Sequence, residues 1–276
     1  MPPEQWVNGF SSELSRLVGA AGGQAGREPG AGPPGGGAHP APARAYQERE
    51  KFLSCLPPGY MEETAPADAA QDWFAIAVRL PDEPGDLGLL MVTPCRNGAP
   101  GDFRLRRIGR YRVELSSLLP VLESFGLAAV EAVPWHFAPG AEGQDTYLDD
   151  VGLRVGTNTL GPATEAAGFA PRLVEAVKAV LGGHAEANIL NRLVVGAGLG
   201  WREVNLLSAY RAYRQVVGGL RAAEKATSMA EALVAFPAAA VAAVELFRSR
   251  LGRPGVAGDD EGARSRLATA LAEVPD

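Results

Sequence analysis

Leu115-Ser116-Ser117-Leu118-Leu119-Pro120-Val121-Leu122-Glu123-Ser124-Phe125-Gly126-Leu127 is the stretch on which the fold turns. Leu115, Leu118, Leu119, Leu122 and Phe125 recur at helical spacing and make one apolar face. Ser116 is placed to cap that helix, and Pro120 is expected in its first turn, where a missing N–H costs little. Gly126 is placed to stop it in the left-handed conformation. A strand is predicted to follow at once, over Leu127–Val133.

Outward from this core the pattern is regular. Upstream, Leu87–Thr93 is an apolar run, Asn97-Gly98 is a turn signal, and Phe103–Ile108 alternates. Phe103, Leu105 and, after a slip, Ile108 lie on one side; Arg104 and Arg106 lie on the other. Downstream, Tyr147–Val155 reads as a strand. A helix from about Ala170 to Leu181 turns Phe169, Leu173, Val177 and Val180 inward and is stopped by Gly182-Gly183. Strand, strand, helix, strand, strand, helix predicts an α+β fold: a small open-faced sandwich with helices on one face of an antiparallel sheet. The periodicity leaves the strand order open.

The flanks read differently. Trp6, Phe10, Leu14 and Leu17 support a short helix over Trp6–Val18, whereas Gly19–Ala43 has few apolar anchors and is expected to be a flexible linker. We expect a flexible low-complexity segment over 1–45, a helical segment over 46–82, the α/β module over 83–183 and an all-helical region over 184–276. In the second of these, Pro57-Pro58-Gly59 interrupts the helices, and Thr64 or Asp68 caps the next one. In the last, Leu206, Tyr210, Tyr213 and Val217 form a stripe. Ser228 and Glu231 have the spacing of a capping box opening a new helix, Pro237 breaks or kinks it, and Leu246, Phe247 and Leu251 continue an apolar face.

Composition bounds the function. Of 276 residues, 46% are hydrophobic, enough for a core, and 26 Lys+Arg against 32 Asp+Glu give a net charge of -6. Such a chain repels phosphates, so no nucleic-acid partner is expected. Met229–Phe247 is interrupted by Glu231, Pro237 and Glu245, so no membrane partner is expected either. Two cysteines, Cys55 and Cys95, fit a reducing, cytoplasmic location.

Several motifs reduce to ordinary structure. Gly196-Ala197-Gly198-Leu199-Gly200-Trp201 lacks the third glycine of a dinucleotide fingerprint, because Trp201 stands there, and reads as a turn between helices. His184-Ala185-Glu186 has no P-C-x-x-C partner, and three histidines with two cysteines make no zinc site. Arg104–Arg112 carries five arginines. We read them as the wet face of an edge strand and its turn, with an anion or nucleic-acid patch as the sharper alternative and a carboxylate ligand as a further one. Asp149-Asp150 are strand neighbours pointing to opposite faces, which is no acid/base pair. Lys51, Lys178 and Lys225 follow no glycine-rich loop. Trp201-Arg202-Glu203 opens a helix, with Trp201 as a packing anchor and Glu203 at the positive end of the dipole.

Taken together, the segments resemble a known family. Leu115–Leu127 resembles the LSDVLPVLENLGL segment of the large NAD-specific glutamate dehydrogenases. Ala185-Glu186, Asn191-Arg192-Leu193-Val194 and Ala197–Val204 are similar to their AENDGFNRLVLAAGLTWREV, and Leu207–Gln215 to their LRAYAKYLRQ. Phe52–Asp72 and Met229–Phe247 resemble flanking helical segments. Asn188, Gly200 and Ser208 depart from the family's aspartate, threonine and arginine. The resemblance runs from about Tyr46 onward and implies an ACT-like (ferredoxin-like) module followed by helical motifs that precede the catalytic domain. The whole enzyme would oxidise glutamate to 2-oxoglutarate with NAD.

The family's catalytic lysine and Rossmann glycines find no match in these residues. The resemblance therefore implies no catalytic, cofactor-binding or metal residues here, with NAD belonging to the whole enzyme, and we expect a truncated or split product inactive on its own. Asn191, Trp201, Arg202, Glu203 and Tyr210 are the expected structural or inter-module residues, and Arg110 and Ser116 the candidate ligand residues. The expected partners are a catalytic glutamate dehydrogenase region in cis or trans, a second copy of the chain, and an amino-acid effector. A stand-alone amino-acid-binding regulator is the alternative.

Overall fold

The computed structural model describes residues 3–25, 45–46, 48–95, 99, 101–138, 145–156, 168–218, 220–251 and 260–274. The Asn97-Gly98 turn, His39 and most of the expected linker lie outside them.

The α/β module has the predicted order. Strands β1 (Leu89–Pro94) and β2 (Asp102–Gly109) precede helix α5 (Leu115–Ser124); β3 (Leu127–Phe137) and β4 (Thr146–Val155) precede α6 (Phe169–Leu181). The strands hydrogen-bond in the order β1-β2-β4-β3. Val155 N–H donates to Gly101 O, and Gly156 N–H to Gly126 O, so the end of β4 meets the starts of both β2 and β3 and these pairs are antiparallel. Read from β2 and closed with β1, the sequence of elements is β-α-β-β-α-β, the ferredoxin-like unit.

Helix α5 buries Leu118, Val121 and Leu122, with Phe125 just beyond its end, against α6. Gly126 follows at φ 75°, left-handed as expected, and lets β3 start without an intervening loop. Two expectations about α5 fail. Glu114, not Ser116, is the N-cap, and Ser116 Oγ instead donates to the Glu114 carboxylate at 3.2 Å. Because the helix starts at Leu115, Pro120 lies inside it rather than in its first turn. It is exposed there, so the Ser116 carbonyl it leaves without an N–H can turn to water.

Contacts divide the chain into two compact units, with all four strands contributing residues to both. One unit holds Met1–Leu90, Arg106–Arg112 and Ala132–Asp150. Its helices are α1 (Glu4–Ala25), α2 (Arg49–Ser54), α3 (Tyr60–Glu63) and α4 (Pro66–Phe74), the last continuing through a π turn and a 3-10 turn to Asp82. Helix α1 outruns the expected Trp6–Val18 and takes in the start of the expected linker. Once nucleated, a helix propagates cheaply through alanine. It lies along α4, and Trp6 Nε1 donates to Thr64 O at 3.0 Å. Neither Thr64 nor Asp68 caps α4; Ala65 precedes Pro66, which takes the first helical position. Trp6, Phe10, Phe52, Tyr60, Trp73, Trp135 and Phe137 form a continuous buried aromatic core.

The other unit holds Met91–Leu105, Val113–Glu131 and Val151–Asp276. After α6 come a 3-10 turn (Ile189–Asn191) and helices α7 (Arg192–Gly196), α8 (Trp201–Gly218), α9 (Leu220–Ala235), α10 (Pro237–Leu251) and α11 (Asp260–Leu271). Ser228 and Glu231 do not open a helix: α9 runs straight through them. The preceding Ala-rich turns carry the helix past a cap signal that is only local. Pro237 does break the chain, since α10 begins on it after a bend of 103°. Among the described residues no single helix is long and apolar enough to cross a membrane.

Candidate functional site

Strand β2 is not an edge strand. With β1 on one side and β4 on the other, its arginines lie against neighbouring strands, and Arg106 and Arg107 are buried. The expected wet face of Arg104–Arg112 is therefore corrected. Burying a guanidinium is costly unless carboxylates and carbonyls meet it. Both arginines have such partners.

Arg106 Nη1 donates to Asp72 Oδ1 at 3.2 Å. Its Nε lies 3.5 Å from Asp150 Oδ2, and its Nη2 lies 3.9 Å from Asp68 Oδ2. Tyr60 Oη donates to Asp72 Oδ2 at 2.6 Å. Asp72 projects from α4 and is 1% exposed. Burial pushes its carboxyl up to about 6, against the pull of Arg106 and the Tyr60 hydroxyl, while Asp150 and Asp68 add to the rise. Burial also drives the Tyr60 hydroxyl well above its ordinary value, and Asp72 reinforces this. Burial opposes the charge of Arg106, but Asp72, Asp150 and Asp68 outweigh it and hold the guanidinium above its usual value.

Arg107 points to the opposite face, as strand alternation requires. Its Nε donates to Leu87 O at 2.9 Å, and its Nη1 reaches Tyr111 O and, at 3.4 Å, Asp149 Oδ2. Burial lowers its pKa, with Asp149 opposing. Asp149 is raised by burial, offset by Arg107 and then Arg112. The adjacent carboxylates Asp149 and Asp150 thus diverge as expected, each to a different arginine of β2.

In the other unit, Asp102 and Arg154 are joined across β2 and β4, with Nε–Oδ1 at 2.9 Å. The same register carries Gly152 to the position opposite Arg104. Arg104 pairs with Glu131 of β3, two strands away. Gly152 leaves the room for it: a Cβ there would stand 2.8 Å from Glu131 Cγ.

The residues expected to be structural or inter-module are placed as follows. Asn191 is buried, and its Nδ2 donates to Ser124 Oγ and to Glu186 O, each at 3.0 Å. The Arg202 guanidinium stacks over the Trp201 ring at 4.4 Å. Glu203 Oε2 accepts from the Gly200 N–H at 2.6 Å, and Oε1 pairs with Arg248 of α10. Glu203 thus caps α8 from its third position and ties it to α10. Its carboxylate occupies the amide a bound phosphate would need, and the loop follows a helix rather than a strand, so these residues do not fit a dinucleotide. Glu203→Ala is expected to cost about 1–2 kcal/mol through the lost cap and ion pair. Urea melts of the two proteins check this, and equal midpoints would refute it.

Helix α8 buries Val204, Leu207 and Ser208, while Tyr210 (54%), Tyr213 (64%) and Val217 (67%) are exposed. Arg110 Nη1 donates to Thr146 Oγ1 at 3.0 Å, and Ser116 is exposed. Sequence reasoning missed Tyr60, Asp72 and Asp150. The one available signal was that β2 carries more arginine than an exposed strand requires.

Residues 86–165 match the family model described as glutamate dehydrogenase, ACT3 domain, and residues 185–252 match glutamate dehydrogenase, helical motif 3. The chain is 30% identical over 230 residues, 82% of its length, to an NAD-specific glutamate dehydrogenase of Halomonas elongata. It is 30% identical over 169 residues to that of Mycobacterium tuberculosis, and 31% over 159 residues to that of Pseudomonas aeruginosa. These alignments cover 60% and 57% of the chain. The chain spans 14%, 10% and 9% of the lengths of these three relatives.

Proposed function

Residues 86–165 and 185–252 belong to the ACT3 and helical motif 3 regions of the large NAD-specific glutamate dehydrogenases, and we propose on that premise that this chain is a non-catalytic regulatory and structural segment of such an enzyme. The whole enzyme would deaminate L-glutamate oxidatively to 2-oxoglutarate, with NAD as the acceptor. The observation that carries the reading is the order of parts: an ACT-like sandwich runs directly into a helical region, under the two family matches in the same order.

What the residues do supports the same role. The charges of the sandwich are spent on one another, as in Arg106 with Asp72 and Arg107 with Asp149. Helix α8 presents Tyr210, Tyr213, Val216 and Val217 outward. A contiguous apolar face of this kind favours association, here with a second copy or with a catalytic region. An amino acid is the effector class, and the cytoplasm the location.

The purified chain, mixed with L-glutamate and NAD, is expected to give no NADH absorbance above blank. Titration with amino acids in a calorimeter is expected to give heat for an effector, and light scattering a mass above the 28.8 kDa of one chain. Turnover that follows the chain through purification would overturn the non-catalytic reading. A monodisperse monomer would overturn the association.

A further inference from the structure

Helix α8 has two apolar faces. Val204 and Leu207 are buried with Ser208 on the face turned toward its own chain. Leu206, Tyr210, Tyr213 and Val217 follow one another at spacings of 4, 3 and 4 residues, and at about 3.6 residues per turn this puts them on the opposite side. Leu206 is half-buried and the other three are exposed. Alternate steps of four and three are the spacing of a coiled-coil seam, where each side chain enters a gap between residues of a facing helix. A stripe this narrow fits one helix rather than a broad surface.

Charge decides what kind of helix. The heptad set by that spacing puts Arg202 on one flank of the seam and Arg214 on the other, both exposed. The remaining flank positions, Leu207, Ala209 and Val216, carry no charge. Glu203 is the one carboxylate of α8, and it is held by the Gly200 N–H and by Arg248. The outward side of α8 is therefore positive, in a chain whose net charge is -6. A second α8 would bring arginines alone to both flanks and answer neither.

On the reading of α8 as an association face, we infer that its seam receives one amphipathic helix from outside this chain, apolar along its own seam and flanked by Asp or Glu. The partner's carboxylates meet Arg202 and Arg214. Tyr210 and Tyr213 pack between its apolar side chains and keep their hydroxyls at the wet edge. Without that helix the seam is bare. The self-association expected of the isolated chain is contact between bare seams, which the acidic helix displaces.

Two labelled peptides of about three heptads test this against the full chain by fluorescence anisotropy. Both have leucine at the seam positions; one has glutamate on its flanks and the other lysine. The glutamate peptide is expected to bind about tenfold more tightly, since it gains flank ion pairs where the lysine peptide meets like charge. Arg214→Glu is expected to abolish that preference. Tyr210→Ala combined with Tyr213→Ala is expected to weaken binding of the glutamate peptide about tenfold or more. All three positions are exposed, so these variants leave the core intact. Equal binding of the two peptides, or binding of neither, would overturn the inference. A dimer in sedimentation that excess glutamate peptide leaves whole and the tyrosine replacements dissolve would also overturn it, because the occupant is then a second copy. A monomeric chain that still prefers the glutamate peptide supports the acidic helix while removing self-association, so the two readings fail separately.

Discussion

Replacing Arg106 with leucine is expected to destabilise the chain by roughly 3–5 kcal/mol, the cost of breaking a buried ion pair from one side. The guanidinium is the cation shared by Asp72, Asp150 and, more distantly, Asp68. Leucine fills part of the volume but leaves two buried carboxylates without that cation. Asp72 then holds its proton at neutral pH or the cluster draws water into the sheet, and either response costs stability. Denaturant melts at pH 7.5 give the loss directly. Repeating them at pH 5 should show a smaller loss, because a protonated Asp72 no longer needs the cation. Adding Asp72→Asn should recover part of the loss at pH 7.5 for the same reason. A loss below about 1 kcal/mol would mean that solvent reaches this cluster and that its charges are screened.

The second large effect is expected at Phe52. It is fully buried, and its ring lies 5.4 Å from Phe10, 5.2 Å from Trp73, 5.5 Å from Phe137 and 6.1 Å from Tyr60 between centroids. Helix α2, which carries it, is only 6 residues long and has no side-chain cap. An isolated helix of that length does not hold itself, so α2 is kept in place by its anchor. Phe52→Ala removes the anchor and leaves a cavity among large rings that cannot all collapse into it, at a cost of about 3–5 kcal/mol. Thermal unfolding reads this. Tyr213→Ala is the control, since Tyr213 is an exposed aromatic on α8 and should leave stability within about 0.5 kcal/mol. Equal losses at both positions would contradict the burial of Phe52 and the exposure of Tyr213.

How much of this could be read from the chain depended on how local each signal was. The helix over Leu115–Ser124 and its stop at Gly126 were legible, because periodicity and a left-handed glycine lie within a dozen residues. The break at Pro237 was legible for the same reason. Ser116 and Ser228 were misread because a cap signal is only a preference, and neighbouring helix-forming residues override it. The arginines of β2 were misread for a different reason. Whether an arginine on a strand is wet depends on which strands flank it, and β4 arrives beside β2 only through the order β1-β2-β4-β3. Nothing within reach of Arg106 in sequence announces Asp72, 34 positions away, or Tyr60, 12 positions from Asp72. The tyrosine stripe of α8 was legible as a stripe, but periodicity does not say whether this chain or another covers it.

Gly152 has one more consequence. A salt bridge on a sheet usually joins adjacent strands and so gauges the alignment of one pair. Arg104 and Glu131 reach over the bare backbone at Gly152 and join β2 to β3 with β4 beneath them. Slide β4 by one residue and the side chain of Val151 or Leu153 enters the gap, blocking the bridge. Slide β2 or β3 by one and the charged group turns to the other face. The bridge forms only when three strands are in step at once. It therefore reports the alignment of both hairpins together, which a contact within either hairpin does not.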